Sequence, residues 1–117
     1  MNITLPFPPS VNRYWRSVRG RVLISRAGRD YRELVGQAAL VARPVRFGGQ
    51  EIAVSIAAWL PDARRRDADN LFKAPLDALA HSGIYDDDSQ IRRLSIEKCG
   101  IDRQRPRLVV TIKPMAE

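Results

Sequence analysis

The sequence predicts an α+β domain of two layers, a mixed or antiparallel sheet with two helices packed on one face, in the rough order β-β-α-β-α-β-β. Three observations predict it. Residues 51–60 alternate, with Ile52, Val54, Ile56, Ala58 and Leu60 on one side and Ala53, Ser55, Ala57 and Trp59 on the other. That is the period of a strand covered on at least one face. Residues 25–43 repeat apolar side chains at helical spacing. Residues 91–99 and 107–113 read as two late strands around a polar turn, and such consecutive strands imply antiparallel pairing. With 117 residues, no internal repeat and no linker, the chain is expected to form one domain over residues 1–117 with a single modest core.

The elements follow in order. Residues 2–5 read as a short strand closed by the proline-rich PFPPS. Next comes NRYWRSVRGRVLISRAGRD, in which Arg13, Arg16, Arg19, Arg21, Arg26 and Arg29 precede the first acid, Asp30, with Tyr14 and Trp15 among them. Arginines for phosphates and aromatic faces for bases are the mark of a nucleic-acid surface. The competing reading is a solvated hairpin turning at Gly20 with its aromatics half in the core. Ser25 is placed to cap a helix over residues 25–43, with Tyr31, Leu34, Val35, Ala38, Val41 and Ala42 toward the core and Pro44 as its stop. A turn at Gly48 and Gly49 leads into the central strand. A second helix is expected over residues 70–82, capped by Asn70 and ended by Gly83. Pro75 inside it lacks the N–H that would bond the Leu71 carbonyl, so its first turn is expected to kink.

Charge narrows the partners. Twenty Lys+Arg oppose thirteen Asp+Glu, a net +7, and seventeen of the twenty bases are arginine, whose planar fork grips phosphate at two points. Five of the thirteen acids are Asp67, Asp69, Asp86, Asp87 and Asp88, so the rest of the chain is more basic still. A basic body around a local acidic knot points to a polyanionic partner and a cation site. No apolar run is long enough to span a bilayer, and MNITLPFPPS lacks the charged and apolar regions of a signal peptide. Cys99 is the single cysteine, which suits a reducing cytoplasm. The expected location is therefore cytoplasmic.

The acidic knot lies in RRRDADNLFKAPLDALAHSGIYDDDSQ, residues 64–90. In extended chain Asp67 and Asp69 point the same way, about 7 Å apart. They precede a helix N-terminus, which favours negative charge. By itself D-x-D occurs more often as a cap than as a metal site. The helix carries the chain roughly 20 Å away from Asp69. The five steps from Gly83 to Asp88 are enough to return about 17 Å. Asp88 can thus come back beside the first two acids, and Mg²⁺ or Mn²⁺ would relieve the repulsion of three converging carboxylates. On the helix, Phe72, Leu76, Leu79 and Ala80 share an apolar face and Asn70, Lys73 and Asp77 share the other. Lys73 is close enough to the acids to hold a phosphate; the alternative is an ordinary Lys73–Asp77 pair on a wet face. Other sites fit poorly. An EF-hand starting at Asp67 would need glycine where Phe72 stands, and one Cys and one His, His81 in the last turn, do not make a zinc site. No nucleotide-binding fingerprint is present, so no nucleotide cofactor is expected.

Taken together, LPFPPSVNRYWR, RRRDADNLFKAPLDAL and SGIYDDDSQIRRL resemble, in order and spacing, the RusA family of Holliday-junction resolvases over nearly the whole chain. The resemblance implies a small homodimeric, Mg²⁺-dependent endodeoxyribonuclease that cuts four-way DNA junctions by paired symmetric nicks, acting in recombination and repair, with Mn²⁺ a plausible substitute. It implies that Asp67, Asp69 and Asp88 are the catalytic metal-binding acids and that Lys73 is catalytic. Arg66 and Asn70 match helping neighbours. Together with Arg13, Arg16, Arg19, Arg64 and Arg65 they make up the expected DNA-binding set. Asp87 belongs to the family pattern, Asp86 is a local extra, and Pro75 departs from the pattern. Two other readings remain in view: a nuclease for flaps or simple branches, and a catalytically inactive protein that binds branched DNA.

Overall fold

The computed structural model describes residues 1–42 and 45–115. Strand β1 (Asn2–Pro6) leads through the proline-rich segment into a single helical turn, α1 (Val11–Tyr14), and then a hairpin of β2 (Trp15–Val18) and β3 (Arg21–Ile24). Helix α2 (Arg26–Ala42) and strand β4 (Ile52–Leu60) follow. A 3-10 turn (Ala68–Leu71), helix α3 (Lys73–His81) and a second 3-10 turn (Asp88–Gln90) carry the acidic segment, and β5 (Ile91–Ile101) and β6 (Arg107–Pro114) close the chain.

The α+β class holds, and the sheet is mixed, in the order β1-β6-β4-β5. The two late strands run in opposite directions, as expected, yet they do not pair. β4 lies between them, antiparallel to β6 and parallel to β5. The reason is mechanical. α3 returns the chain to the starting end of β4, so the next strand must run parallel to it. The turn after β5 then steps across the end of β4, where the Asp102 N–H donates to the Leu60 carbonyl at 2.8 Å. β2 and β3 form a separate two-stranded sheet turning at Arg19 and Gly20, both with positive φ (51° and 75°), the conformation that two-residue hairpin turns require.

The core lies on one face of the four-stranded sheet. Ile52, Val54, Ile56 and Ala58 of β4, Leu108, Val110 and Ile112 of β6 and Ile3 and Leu5 of β1 are buried there under α2 and α3. Ser25 caps α2 as expected: its Oγ accepts from the Gly28 N–H at 3.0 Å. The buried stripe of α2 is Gly28, Tyr31, Val35 and Ala39. Leu34 and Val41, expected inside, are 48% and 86% exposed. The helix has more apolar positions than one face can hold, and the stripe turned to the core leaves Leu34 and Val41 outside it. The stop at Pro44 lies outside the described residues.

The second helix also differs from expectation. Asn70 does not cap it. The segment begins as a 3-10 turn whose preceding residue is Asp67, passes through Phe72 and becomes α-helical only at Lys73, with no side-chain cap at either start. Pro75 therefore sits in the first α turn, where a proline is tolerated, and the change from 3-10 to α geometry takes the place of a kink.

Candidate active site

Two stretches of chain wall a groove of about 660 Å³: the first, before α3, with Arg64, Arg65, Arg66, Asp67 and Asn70, and the second with Phe7, Pro8, Pro9, Ser10 and, in α1, Arg13. Proline rigidity holds the second wall, and Tyr31 Oη ties it to α2 by donating to the Pro6 carbonyl at 2.8 Å. Arg66 builds the first wall. Its guanidinium pairs with both Asp62 oxygens, at 2.7 and 3.2 Å, and lies 5.5 Å from the centre of the Phe7 ring. That pairing holds the Asp62 carboxyl down at about 2. Arg66 is thus committed to the groove's shape, whereas Arg13, Arg64 and Arg65 make no ion pair among the described residues.

Asp67, Asp69 and Lys73 are exposed, around the 3-10 turn and the first turn of α3. Asp88 does return along the helix. Tyr85, fully buried, has its Oη 2.7 Å from the Leu76 carbonyl and 3.0 Å from Asp88 Oδ1, so Asp88 stands at the level of Leu76. Burial pushes the Asp88 carboxyl up; the Tyr85 hydroxyl opposes that shift, and the charges of Asp77 and Asp87 add to it. Asp87 caps the second 3-10 turn by accepting from the Ser89 N–H at 2.9 Å, which lowers its own carboxyl.

Several residues build the site through contacts that were not expected from the sequence. Gln90, 9% exposed, donates from Nε2 to the carbonyls of Gly48 (2.7 Å) and Gln50 (2.5 Å), and its Oε1 accepts from the N–H groups of Asp86 (2.9 Å) and Asp87 (2.8 Å). The glutamine of D-D-x-Q thus fastens the acidic turn to the loop before β4. Asp77 does not pair with Lys73. It is taken by Arg32, Nε at 2.9 Å and Nη2 at 3.2 Å, and accepts from the Tyr14 hydroxyl, so one carboxylate joins α1, α2 and α3. Tyr14, proposed as a face for bases, is fully buried, and burial raises its phenol. Trp15 packs edge-on against it at 4.9 Å. Lys98 of β5 donates to the Arg66 carbonyl, which brings a second lysine beside Asp67. The helix-periodic signal could have found Asp77; the others depend on contacts distant in sequence.

The expected convergence of Asp67, Asp69 and Asp88 is not seen: among the described residues no three acidic, histidine or cysteine side chains lie close enough together to enclose a metal ion. In kind the donors fit a hard divalent cation: three carboxylates on turns packed against one helix, one oriented by a buried hydroxyl. Among the described residues no helix is long and apolar enough to cross a membrane.

The family model for Endodeoxyribonuclease RusA matches residues 6–113. The crossover junction endodeoxyribonuclease RusA of Escherichia coli (strain K12) is 40% identical over 114 residues, covering 97% of this chain and 94% of the relative. The protein of that name from Enterobacteria phage 82 is 40% identical over 115 residues with the same coverage. The one from Enterobacteria phage HK97 is 41% identical over 86 residues, 74% of this chain and 72% of that one.

Proposed function

The chain belongs to the RusA endodeoxyribonuclease family, and from that premise we propose that it resolves four-way DNA junctions by paired, symmetric phosphodiester hydrolysis as a homodimer that needs a divalent cation. The observation that carries this reading is the groove in which unpaired arginines and an exposed acid share one wall, next to α3 and its lysine. Arg13, Arg64 and Arg65 draw phosphates into the groove, and Arg66 keeps its wall in place for them. Lys73, exposed on the first turn of α3, meets the charge that develops on the scissile phosphate. Asn70 offers an amide on the same wall. Asp67, Asp69 and Asp88 would hold the cation, Mg²⁺ or Mn²⁺. Such an ion, when bound, supplies polarisation of a phosphoryl oxygen and acidification of the attacking water. Water adds to phosphorus and the 3′-oxygen leaves, giving the 5′-phosphate and 3′-hydroxyl ends that a ligase can join. A four-way junction has approximate two-fold symmetry, and a C2 dimer with one site per subunit matches it.

The open spacing of the acids favours one other reading, a junction binder that does not cut. A labelled synthetic junction with Mg²⁺, run beside an EDTA control and Asp67→Asn, separates the two. Paired symmetric nicks from the wild type alone support the resolvase. Tight binding without nicks, in Mg²⁺ and in Mn²⁺, refutes it.

A further inference from the structure

The β2–β3 hairpin is clamped at its base and bare at its tip. At the base, the Ser25 N–H and Oγ donate to the Tyr14 carbonyl at 2.9 and 2.8 Å. Gly28 of α2 lies so close that a Cβ there would come within 2.5 Å of that carbonyl and 2.6 Å of Ile24. Tyr14 itself is anchored through Asp77 to α3. Beyond this base, among the described residues, the two strands pair only with each other. The register sets Arg16, Val18, Arg21 and Leu23 on one face and Trp15, Ser17, Val22 and Ile24 on the other. Val18 is 38% exposed and Val22 67%, on opposite faces beside the turn, while Arg16, Arg19 and Arg21 are exposed with no ion pair among the described residues.

A charged arm alone would bind any duplex, because phosphates are everywhere along it. Two apolar side chains flanking a stiff, strongly basic tip need a different surface. A branch point offers one, since strand exchange exposes the apolar faces of base pairs that a continuous duplex keeps stacked. Proteins that bend or open DNA use such apolar wedges, with basic residues holding the flanking backbone. We infer that the hairpin is a branch-sensing arm: Arg16, Arg19 and Arg21 hold the phosphates around the crossover while Val18 and Val22 pack against base-pair faces exposed there. This rests on the junction reading and identifies the residues that would separate a branched substrate from a linear one.

The test measures binding, without added metal, of full-length protein to a four-way junction and to a linear duplex of equal length. Both carry 2-aminopurine at the same sequence position, next to the branch in the junction. The variant Val18→Thr/Val22→Thr keeps side-chain shape and strand propensity. It is expected to lose about fivefold or more in junction affinity and most of the fluorescence rise at the branch, with duplex affinity unchanged. Arg19→Gln/Arg21→Gln should weaken junction and duplex alike and flatten the salt dependence of each by about one unit per arginine. A threonine pair that retains the wild-type junction-to-duplex ratio and fluorescence overturns the arm while leaving the junction reading intact. A wild type with no preference for the junction overturns both.

Discussion

Replacing Gln90 by methionine removes an amide that holds four main-chain groups at once, and the cost can be worked out group by group. The Asp86 N–H and the Gly48 carbonyl also bond each other, at 3.1 Å, so they keep a partner. The Asp87 N–H and the Gln50 carbonyl have no other partner among the described hydrogen bonds and are left bare. Two stranded polar groups at a partly buried joint cost about 2–4 kcal/mol together. In a chain of 117 residues that should lower Tm by about 10 °C or more. Urea unfolding read by circular dichroism measures the difference, with the m-value unchanged if only the native state is affected. Gln90→Glu supplies a sharper comparison. Its ionised carboxylate still accepts from Asp86 and Asp87 but donates to neither carbonyl, and it adds charge beside three aspartates. Its pKa in the folded state should therefore rise above the ordinary value. The variant should be as weak as Gln90→Met at neutral pH and regain stability as pH falls and the carboxyl protonates. Since Asp88 lies on the turn that Gln90 fastens, junction cleavage should fall in both variants. A Gln90→Met protein within about 0.5 kcal/mol of wild type, or a Gln90→Glu protein indifferent to pH, would refute the argument.

Two further substitutions probe the joints around the groove. Tyr85→Phe deletes the hydroxyl that reaches Asp88 Oδ1 and should weaken Mn²⁺ binding, followed by electron paramagnetic resonance, by about tenfold, while far-ultraviolet circular dichroism stays the same. An unchanged binding isotherm would mean that Asp88 needs no orienting. Asp62 is held down to about 2 by Arg66, below its ordinary value near 4, so its pairing contributes stability above that ordinary value and loses it as pH falls through about 2. Acid titration of Asp62→Asn should therefore show a shallower loss of stability between about pH 4 and pH 2 than the wild type; superimposable curves would dismiss the pair.

Much of this was legible in the chain, and the failures share a cause. β4 was readable because alternation over nine residues, Ile52–Leu60, needs no partner to be seen. Ser25 was readable because a cap acts within three residues of itself. Helix rise and chain reach accounted for the return of Asp88 as far as Leu76, but not for its stopping short of a cluster with Asp67 and Asp69. The position of β4 between the two late strands was hidden, since a period reports which face is buried and not which strand lies alongside. On α2, Leu34 and Val41 satisfied the helical period as well as Gly28 and Ala39 do, and only the elements packed on the helix decide between them, Tyr14 and Ile24 in the case of Gly28. Gln90 and Asp77 take their defining partners from positions some forty residues distant, Gly48, Gln50 and Arg32. Nothing local in the sequence marks those links. Arg66 shows the same limit: in the run of three arginines it cannot be told from Arg64 and Arg65, yet the fold withdraws it to hold Phe7 and Asp62.

The knot of Tyr14, Arg32 and Asp77 also has a hereditary meaning. A descendant that alters Asp77 leaves a partly buried guanidinium and a buried phenol without their acceptor, a worse state than losing all three. A change at Asp77 would need matching changes at Tyr14 and Arg32 to leave every polar group of the joint satisfied. Because the same knot seats the hairpin against the helix of the acids, a substitution at the hairpin's exposed tip leaves that seat intact, whereas one at its root disturbs both elements.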